Sequence, residues 1–535
     1  MTLIAFDDTD SRDGMCTTYL MLKFIRSLGE IDDSLQVIGY PKLVRLNPNI
    51  PYKTRGNGAL CVEVGYGVGE QISLGRWGSN ELWMTWEADG THLLTSEMED
   101  LVMKLAVRVV KEFAMLDGDG TDPGIVMFSA PPPGSFFWKA VQSLVALDEA
   151  KAFIDENNGQ YRTFNSGRGI IGAAAACSWK PGDRTYEIIS YRHPSKFGTI
   201  RNVSYESIER MDNLLPTTFN NIDHTNHHPA IVPSSPCPVL HGIRGEESED
   251  LLKAVRVIEG EEAAARLMFM TNQGSDDHLV RKEIRDIRPY ESVMVQGVVG
   301  GTMGGRRDSL LSIRLSAVRS MRSEDLYEIR MNTKCSSRSE DRRSECQLGS
   351  KNLMRNESLL DFWSPLVARS DNLLSTRLSP LGSMRTQEGI RNLPGGHVVF
   401  PIQDGTGTMD CIAYEPTKEF RDVVRQLLPG DEIIAVGGVR KEPFTVNLEK
   451  LNVVTLNETP LKRKVGNPMC KECGVRMKSI GTEQGYRCKR CGEKAGEGEA
   501  EFEEMEERDL LLGWYEVPVC ARRHLAKPLK RMPIN

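Results

Sequence analysis

The chain has 535 residues, 40% of them hydrophobic and 26% charged, and a formal net charge of −7. Single hydrophobic cores stop growing near ~250–300 residues, so several domains of globular composition are expected. No apolar run approaches the ~18 residues of a membrane span, and Asp7, Asp8 and Asp10 stand where a signal peptide would be basic and then apolar, so the expected compartment is the cytoplasm.

Thr2 to Phe6 reads as a short buried strand running into Asp7-Asp8-Thr9-Asp10-Ser11 and then Gly14-Met15-Cys16-Thr17-Thr18. Leu20, Met21, Phe24, Ile25 and Leu28 recur at helical spacing until Gly29. A strand, an acidic turn, a glycine and a helix N-terminus suit nucleotide phosphates. Helix amides attract anions, and three carboxylates can hold the Mg²⁺ that accompanies ATP. Thr17 and Thr18 would sit beside the terminal phosphate. The same residues also suit a ligand-free Asx-turn and helix cap, and local chemistry leaves both readings open.

Leu46 to Ala59 is rich in turn formers. Lys53 and Arg55 can neutralise triphosphate oxygens, and Gly56 and Gly58, around Asn57, would let backbone approach a ligand. Taken alone the segment also reads as a surface loop. No Walker A sequence occurs, which excludes a P-loop NTPase. Further on, Gly167-Arg168-Gly169-Ile170-Ile171-Gly172 leads into Ala173–Ala176, read as a tightly packed helix.

Residues 291–300 and 397–455 alternate in short apolar stretches with turn signals, which fits a small Greek-key barrel. Between them, 301–391 is rich in Ser and Arg without a periodic core, so a disordered insertion or appended subdomain is expected there; its Cys335 and Cys346 read as ordinary thiols. Cys470-x2-Cys473 and Cys488-x2-Cys491, 14 residues apart, can close four thiolates around one structural Zn²⁺. Basic groups flank them, Lys462-Arg463-Lys464 before and Arg522, Arg523, His524, Lys527, Lys530 and Arg531 after, and can meet phosphates. The acidic run from Glu497 to Glu507 reads as a solvated helix.

AFDDTDSRDGMCTTYL, RLNPNIPYKTRGNGA, SGRGIIGA, TTFNN, PCPVLHGIRGE, TNQGSDDHL, GGHVVF, AYEPTKEFR, the four-cysteine ribbon and ARRHLAKPLKR appear in this order. Together they resemble the archaeal agmatidine (2-agmatinylcytidine) synthetases, nearly end to end, with the long insertion as the departure from the pattern. The resemblance implies an ATP-dependent, carbon–nitrogen bond-forming ligase that joins agmatine to C2 of the wobble cytidine of the isoleucine tRNA with a CAU anticodon, so that AUA is read as isoleucine. It implies phosphorylation of the C2 oxygen, displacement of phosphate by agmatine, and ATP ending as AMP and phosphate.

The implied architecture is multidomain α/β and α+β. An ATP-binding kinase-like domain covers 1–155 and a ferredoxin-like domain with linker 156–285. An OB-fold covers 286–457 with the insertion at 301–391, then a zinc ribbon at 458–495 and a tail at 496–535. Asp7, Asp8 and Asp10 match the family's acidic motif, Thr17 its autophosphorylated threonine beside Thr18, and Lys53, Thr54, Arg55, Gly56, Asn57 and Gly58 its basic glycine-rich motif. Agmatine, a dication, wants carboxylates and aromatic walls, for which Phe164, Gly167, Arg168, Asp183, Glu187 and Tyr191 are the candidates. Lys418, Arg421, Arg522, Arg523, His524, Lys527 and Lys530 are the candidate tRNA contacts. ATP, Mg²⁺ and a structural Zn²⁺ are the implied cofactors. A non-catalytic tRNA-binding protein with the same barrel and ribbon is the competing reading.

Overall fold

An apolar run buried on both faces opens the chain as strand β1 (Thr2–Asp7), hydrogen-bonded on both sides. The computed structural model describes residues 2–54, 56–118, 120–300, 389–457, 462–481, 484–504 and 508–533. Arg55 and most of the 301–391 insertion, with Cys335 and Cys346, lie outside the described residues.

Strands β2 (Leu35–Ile38), β3 (Lys42–Arg45), β4 (Gly58–Val68), β5 (Ile72–Trp77), β6 (Asn80–Thr85), β7 (Glu87–Ala88), β8 (Gly124–Phe128), β9 (Gln160–Thr163), β10 (Thr185–Tyr191), β11 (Val239–Gly245) and β12 (Ala265–Thr271) join β1 in one sheet. Its order is β11-β10-β12-β5-β6-β2-β4-β1-β8-β9, with β3 bridging β12 and β4 and β7 pairing with β4. Helix α1 (Thr17–Arg26) starts after the acidic turn and buries Leu20, Met21, Phe24 and Ile25, together with Tyr19 and Leu22, against α2 (Ser96–Phe113) and the sheet. The other face is covered by α3 (Ser135–Gln142), α4 (Leu147–Glu156) and α5 (Gly169–Ser178), which contains the alanine run and is buried nearly all round. Side chains this small let backbones close in: a Cβ on Gly124 or Gly169 would overlap the other segment's main chain. Helices α6 (Tyr205–Leu214) and α7 (Ser248–Val257) pack by β10 and β11. The sheet therefore runs unbroken across residue 155, and α5 lies over β1 although it follows that point in the chain.

The second sheet contains β13 (Leu279–Arg281), β14 (Ser292–Val299), β15 (Arg391–Leu393), β16 (His397–Asp404), β17 (Gly407–Ala413), β18 (Glu432–Val439), β19 (Thr445–Thr455) and β25 (Gly513–Glu516). Pairing of β14 with both β18 and β16 closes five strands into a ring, β14-β16-β17-β19-β18, and α8 (Phe420–Arg425) lies between β17 and β18 in the chain. Closure leaves Val295, Phe400, Cys411, Ala435 and Leu451 fully buried inside. The long insertion leaves from this ring without opening it, because Gly389 returns against the Gly300 carbonyl, where a Cβ would not fit. The described chain resumes at 389, so the expected insertion boundary at 391 falls inside the start of β15.

The ribbon adds β20 (Lys462–Gly466), β21 (Lys478–Ser479), β22 (Tyr486–Arg487), β23 (Lys494–Ala495) and β24 (Glu501–Glu504). The acidic run forms no long helix among the described residues: Glu501–Glu504 is a strand antiparallel to the basic one, with Lys462 opposite Glu504 and Arg463 opposite Glu503. Among the described residues no helix is long and apolar enough to cross a membrane.

Candidate functional site

Asp7 ends β1, and Asp8 turns the chain with a φ of +57°, a conformation Asp tolerates better than bulkier residues. Asp7 Oδ1 accepts the Asp8 amide at 2.8 Å, while Asp7 Oδ2 faces Gly172 in the first turns of α5, where a Cβ would overlap it. Asp8 Oδ1 accepts the Thr54 hydroxyl at 2.9 Å and Oδ2 the Asp122 amide at 3.1 Å. Thr121 donates its hydroxyl to the Asp10 carbonyl at 2.8 Å. Three separated segments thus converge on one acidic turn.

Burial, then repulsion from Asp8, pushes the Asp7 carboxyl well above the usual carboxylate range. Burial likewise lifts Asp8 to about 7, against the Thr54 hydrogen bond and with the help of Asp10. Carboxylates this strained favour a divalent cation, and oxygen donors suit Mg²⁺. Among the described residues, the set of three or more donors close enough to share an ion is Cys470, Cys473, Cys488 and Cys491, within 4.8 Å of one another. Mg²⁺ commonly takes one or two carboxylates and fills its sphere with phosphate and water, so the acidic turn need not supply three donors. In the ribbon, Cys470 lies 3.4 Å from Cys491 and Cys473 3.4 Å from Cys488. Tetrahedral zinc with Zn–S near 2.3 Å would set the sulfurs about 3.8 Å apart, so the four thiols fit it.

The second motif does more than expected of a loop. Asn47 donates to the Ser143 and Tyr290 carbonyls and Asn49 to Glu291 O and Ser292 Oγ, which docks the segment on the barrel. Asn57 closes the loop onto Asn47 O at 2.9 Å, and Lys53 Nζ donates to Pro48 O at 2.8 Å. Arg45 lies over Gly56 and Gly58: a Cβ on either would come 3.1 Å from its Nη1.

Of the residues proposed around agmatine, Phe164 is half-buried in the turn before α5, and Gly167 has a φ of +74°. Arg168 lies 3.9 Å over the Tyr52 ring. Glu187, on β10, is buried and engaged: Gln273 donates to it at 2.5 Å, Arg244 Nε approaches to 3.3 Å and Arg45 Nη2 to 3.9 Å. Tyr191, on the same strand, is fully buried, and burial raises its phenol above the ordinary value, with Cys16 and Thr18 among its neighbours. Asp183 pairs with Lys527 at 2.6 Å and Arg531 at 2.7 Å.

The tail cations are likewise held within the protein. Arg522 pairs with Glu516 at 2.7 Å and Arg523 with Glu449 at 3.1 Å; Lys530 donates to Thr218 O. Arg523 also donates to Asn49 at 2.5 Å. His524 is exposed, and its Nδ1 lies 2.9 Å from Gln273 Oε1. The tail is a strap across both sheets. On the barrel, Arg421 donates to the Gly396 and Lys418 carbonyls, and Lys418 pairs with Glu415 at 3.5 Å.

Arg45, Arg244 and Gln273 were not singled out from sequence. They lie in segments that carry the resemblance, but one Arg on a strand has no local pattern to mark it.

Family models for the TiaS TCKD domain, the TiaS FLD domain and the TiaS C-terminal zinc ribbon domain match residues 3–165, 167–278 and 467–510. The isoleucine-tRNA 2-agmatinylcytidine synthetase TiaS of Archaeoglobus fulgidus is 34% identical over 541 residues, 99% of this chain and 98% of the relative. The chain belongs to the TiaS family. The Methanocaldococcus jannaschii TiaS is 31% identical, again over 99% of this chain and 98% of its own. A solved complex of TiaS with its isoleucine tRNA and ATP superposes with a TM-score of 0.67 at 32% identity, covering 100% of this chain and 98% of that one. A complex of TiaS with the same tRNA, AMPCPP and agmatine gives 0.66 at 30%, with the same coverage.

Proposed function

We propose that this chain is an ATP-dependent ligase that joins agmatine to C2 of the wobble cytidine of the isoleucine tRNA with a CAU anticodon. The observation that carries this is end-to-end likeness to the A. fulgidus synthetase, combined with an acidic turn in which Thr54 and Asp122 hold Asp8.

In the proposed reaction the cytosine C2 oxygen attacks the terminal phosphorus of ATP, the bond from that phosphorus to the bridging oxygen breaks, and ADP leaves; hydrolysis of that ADP gives the AMP and a further phosphate. The amine of agmatine then forms a bond to C2 and loses a proton, while the C2–O bond breaks and phosphate leaves with that oxygen. Splitting the substitution this way replaces a poor leaving group by a good one. Asp7, Asp8 and Asp10 would hold Mg²⁺, which would supply charge screening for the phosphates. Thr17 and Thr18 face the transferred group from the start of α1, with Lys53 and Arg55 on the phosphates. Agmatine is assigned to the wall formed by Phe164, Gly167, Arg168, Asp183, Glu187 and Tyr191.

The domain assignment extends this reading. Ring order first-second-third-fifth-fourth, with a helix between the third and fourth strands, supports an OB-fold for 286–457. A kinase-like domain precedes it, with a ferredoxin-like one between them and the zinc ribbon behind. Lys418 and Arg421 on the barrel, together with the ribbon, are proposed to face tRNA. The wobble base is already single-stranded, so unstacking it costs at most about a few kcal/mol.

The test is incubation of the purified chain with ATP, agmatine and the CAU-anticodon transcript, followed by nucleoside mass analysis. An agmatine-dependent mass gain at the wobble cytidine is expected. Tight tRNA binding without that gain, beside an active A. fulgidus control, would leave the non-catalytic binder as the better reading.

A further inference from the structure

A pocket of about 550 Å³ opens between β5, the chain leading into β12 and the loop 193–202, with Arg76, His193 and Lys196 on its wall. It belongs neither to the acidic turn nor to the second motif: in the sheet order β5 is separated from β1 by β6, β2 and β4. Strand register sets its charge. Arg76 on β5 stands directly opposite Arg266 on the antiparallel β12. Arg266 is in turn opposite Ser190 on β10, to which its Nε donates at 3.3 Å. Like charges facing each other across an antiparallel pair destabilise it.

The protein leaves that repulsion largely uncompensated. Arg76 Nε–H is buried without an acceptor, and its Nη2 reaches the Ala263 carbonyl at 3.4 Å, the long end of a hydrogen bond. Among the described residues, Arg76, Arg266 and Lys196 have no carboxylate within ion-pair distance. Of the two acids on the wall, Glu261 is taken by Arg192, which donates to it at 2.8 and 2.7 Å, and Glu262 is exposed. The rim is fixed before any ligand arrives. Arg192 also donates to the Thr199 and Ile200 carbonyls at 2.7 and 3.0 Å, and Arg201 to those of Val239, Pro233 and Ser235, each at 2.8 Å. These bonds hold the loop that presents His193 and Lys196, both exposed, beside the arginine pair. Two guanidinium forks, an ammonium and an imidazole around one opening match an anion with several oxygens, and phosphate fits such forks. An exposed rim admits a phosphate that belongs to a chain, as in RNA.

We infer that Arg76, with Arg266 behind it and Lys196 on the rim, binds a backbone phosphate of the RNA at a site apart from the acidic turn. The choice of RNA rests on the proposed tRNA-modifying activity; the anion-binding character of the pocket does not. A pocket for free phosphate, or arginines that only hold β5 to β12, are the alternatives.

Binding of the CAU-anticodon transcript to the full chain over a salt series separates these. Arg76→Gln is expected to reduce the magnitude of the slope of log K against log salt by about 0.7–0.9, and Arg76→Lys, which keeps the charge, to restore it. ATP and agmatine affinities should stay as they were. Thermal unfolding supplies the second readout: with one of two opposed cations gone, RNA-free Arg76→Gln should be as stable as wild type or more so. A slope equal to that of wild type overturns the inference, and so does a less stable RNA-free variant, since Arg76 would then hold the fold. Inorganic phosphate titrated at constant ionic strength tests the other source. Phosphate that stabilises wild type but not Arg76→Gln, beside an unchanged transcript slope, would give the pocket to free phosphate and overturn the RNA assignment. Absence of agmatidine from the wild-type reaction would instead count against the proposed function, and the slope result would stand.

Discussion

Thr54 donates its hydroxyl to Asp8 at 2.9 Å across 46 residues of chain, tying the loop that carries Lys53 to the acidic turn. The bond opposes the burial that holds Asp8 near 7. Removing it in Thr54→Val should raise the Asp8 carboxyl further, so the ionised form requires more alkaline solution. The acidic limb of the pH–rate profile for tRNA modification is therefore expected to move to higher pH. An unmoved limb, or a shift toward acid, would detach Asp8 from the titration that controls the rate.

Asp8 also has a thermodynamic signature. Its folded value of about 7 lies above the roughly 3.9 of an unfolded aspartate. A carboxyl raised on folding lends its relative stability in acid and withdraws it as pH climbs from about 4 through about 7. In metal-free buffer, the stability of wild type minus that of Asp8→Asn should fall over that window, and Mg²⁺ should restore more of it at pH 8 than at pH 6. Chemical denaturation of both proteins at several pH values measures the difference; a pH-independent gap would refute the raised carboxyl. The same variant should lose modification while keeping most of its tRNA affinity.

Gly172 faces Asp7 from α5. Alanine there would gain about 0.8–1 kcal/mol of helix propensity. The added methyl must nevertheless displace Asp7 or the helix, at about 1–3 kcal/mol. Net destabilisation with loss of activity is expected from Gly172→Ala. A variant more stable than wild type and fully active would show that Asp7 has room to move.

The tail has two candidate duties, and salt separates them. A lysine on an RNA phosphate lowers the slope of log K against log salt by about 0.7–0.9 when removed. Lys527 and Lys530 already have Asp183 and the Thr218 carbonyl, so Lys527→Met and Lys530→Met should leave the slope nearly unaltered. Asp183→Asn should instead free the strap, seen as faster proteolysis and amide exchange over residues 517–533. A full drop in slope for each lysine would return the tail to the RNA.

Four thiols within 4.8 Å predict one bound zinc per chain. Cys470→Ser with Cys491→Ser should abolish it and weaken tRNA binding, with ATP hydrolysis less affected, since the acidic turn lies in the first sheet. Stoichiometric metal retained by the double variant would refute the site.

Much here could be read along the chain because it depends on near neighbours. β1, the acidic turn and α1 follow one another directly, and an apolar period of 3.6 shows the helix wherever it packs. Two CxxC pairs 14 residues apart show a metal knuckle because the ligands travel in pairs. The barrel strands showed through their alternation, but their closure into a ring depends on β14 meeting β16, pairs separated by more than a hundred residues. Charge was the least reliable guide. The acidic run, read as a solvated helix, became a strand opposite a basic one, and the basic tail reached carboxylates on two sheets. A charged side chain carries no record of its partner in its own neighbourhood. Which cations are spent inside the protein, as Arg523 and Arg531 are, is settled when distant strands come together, because Coulomb attraction and desolvation depend on distance in space rather than along the chain.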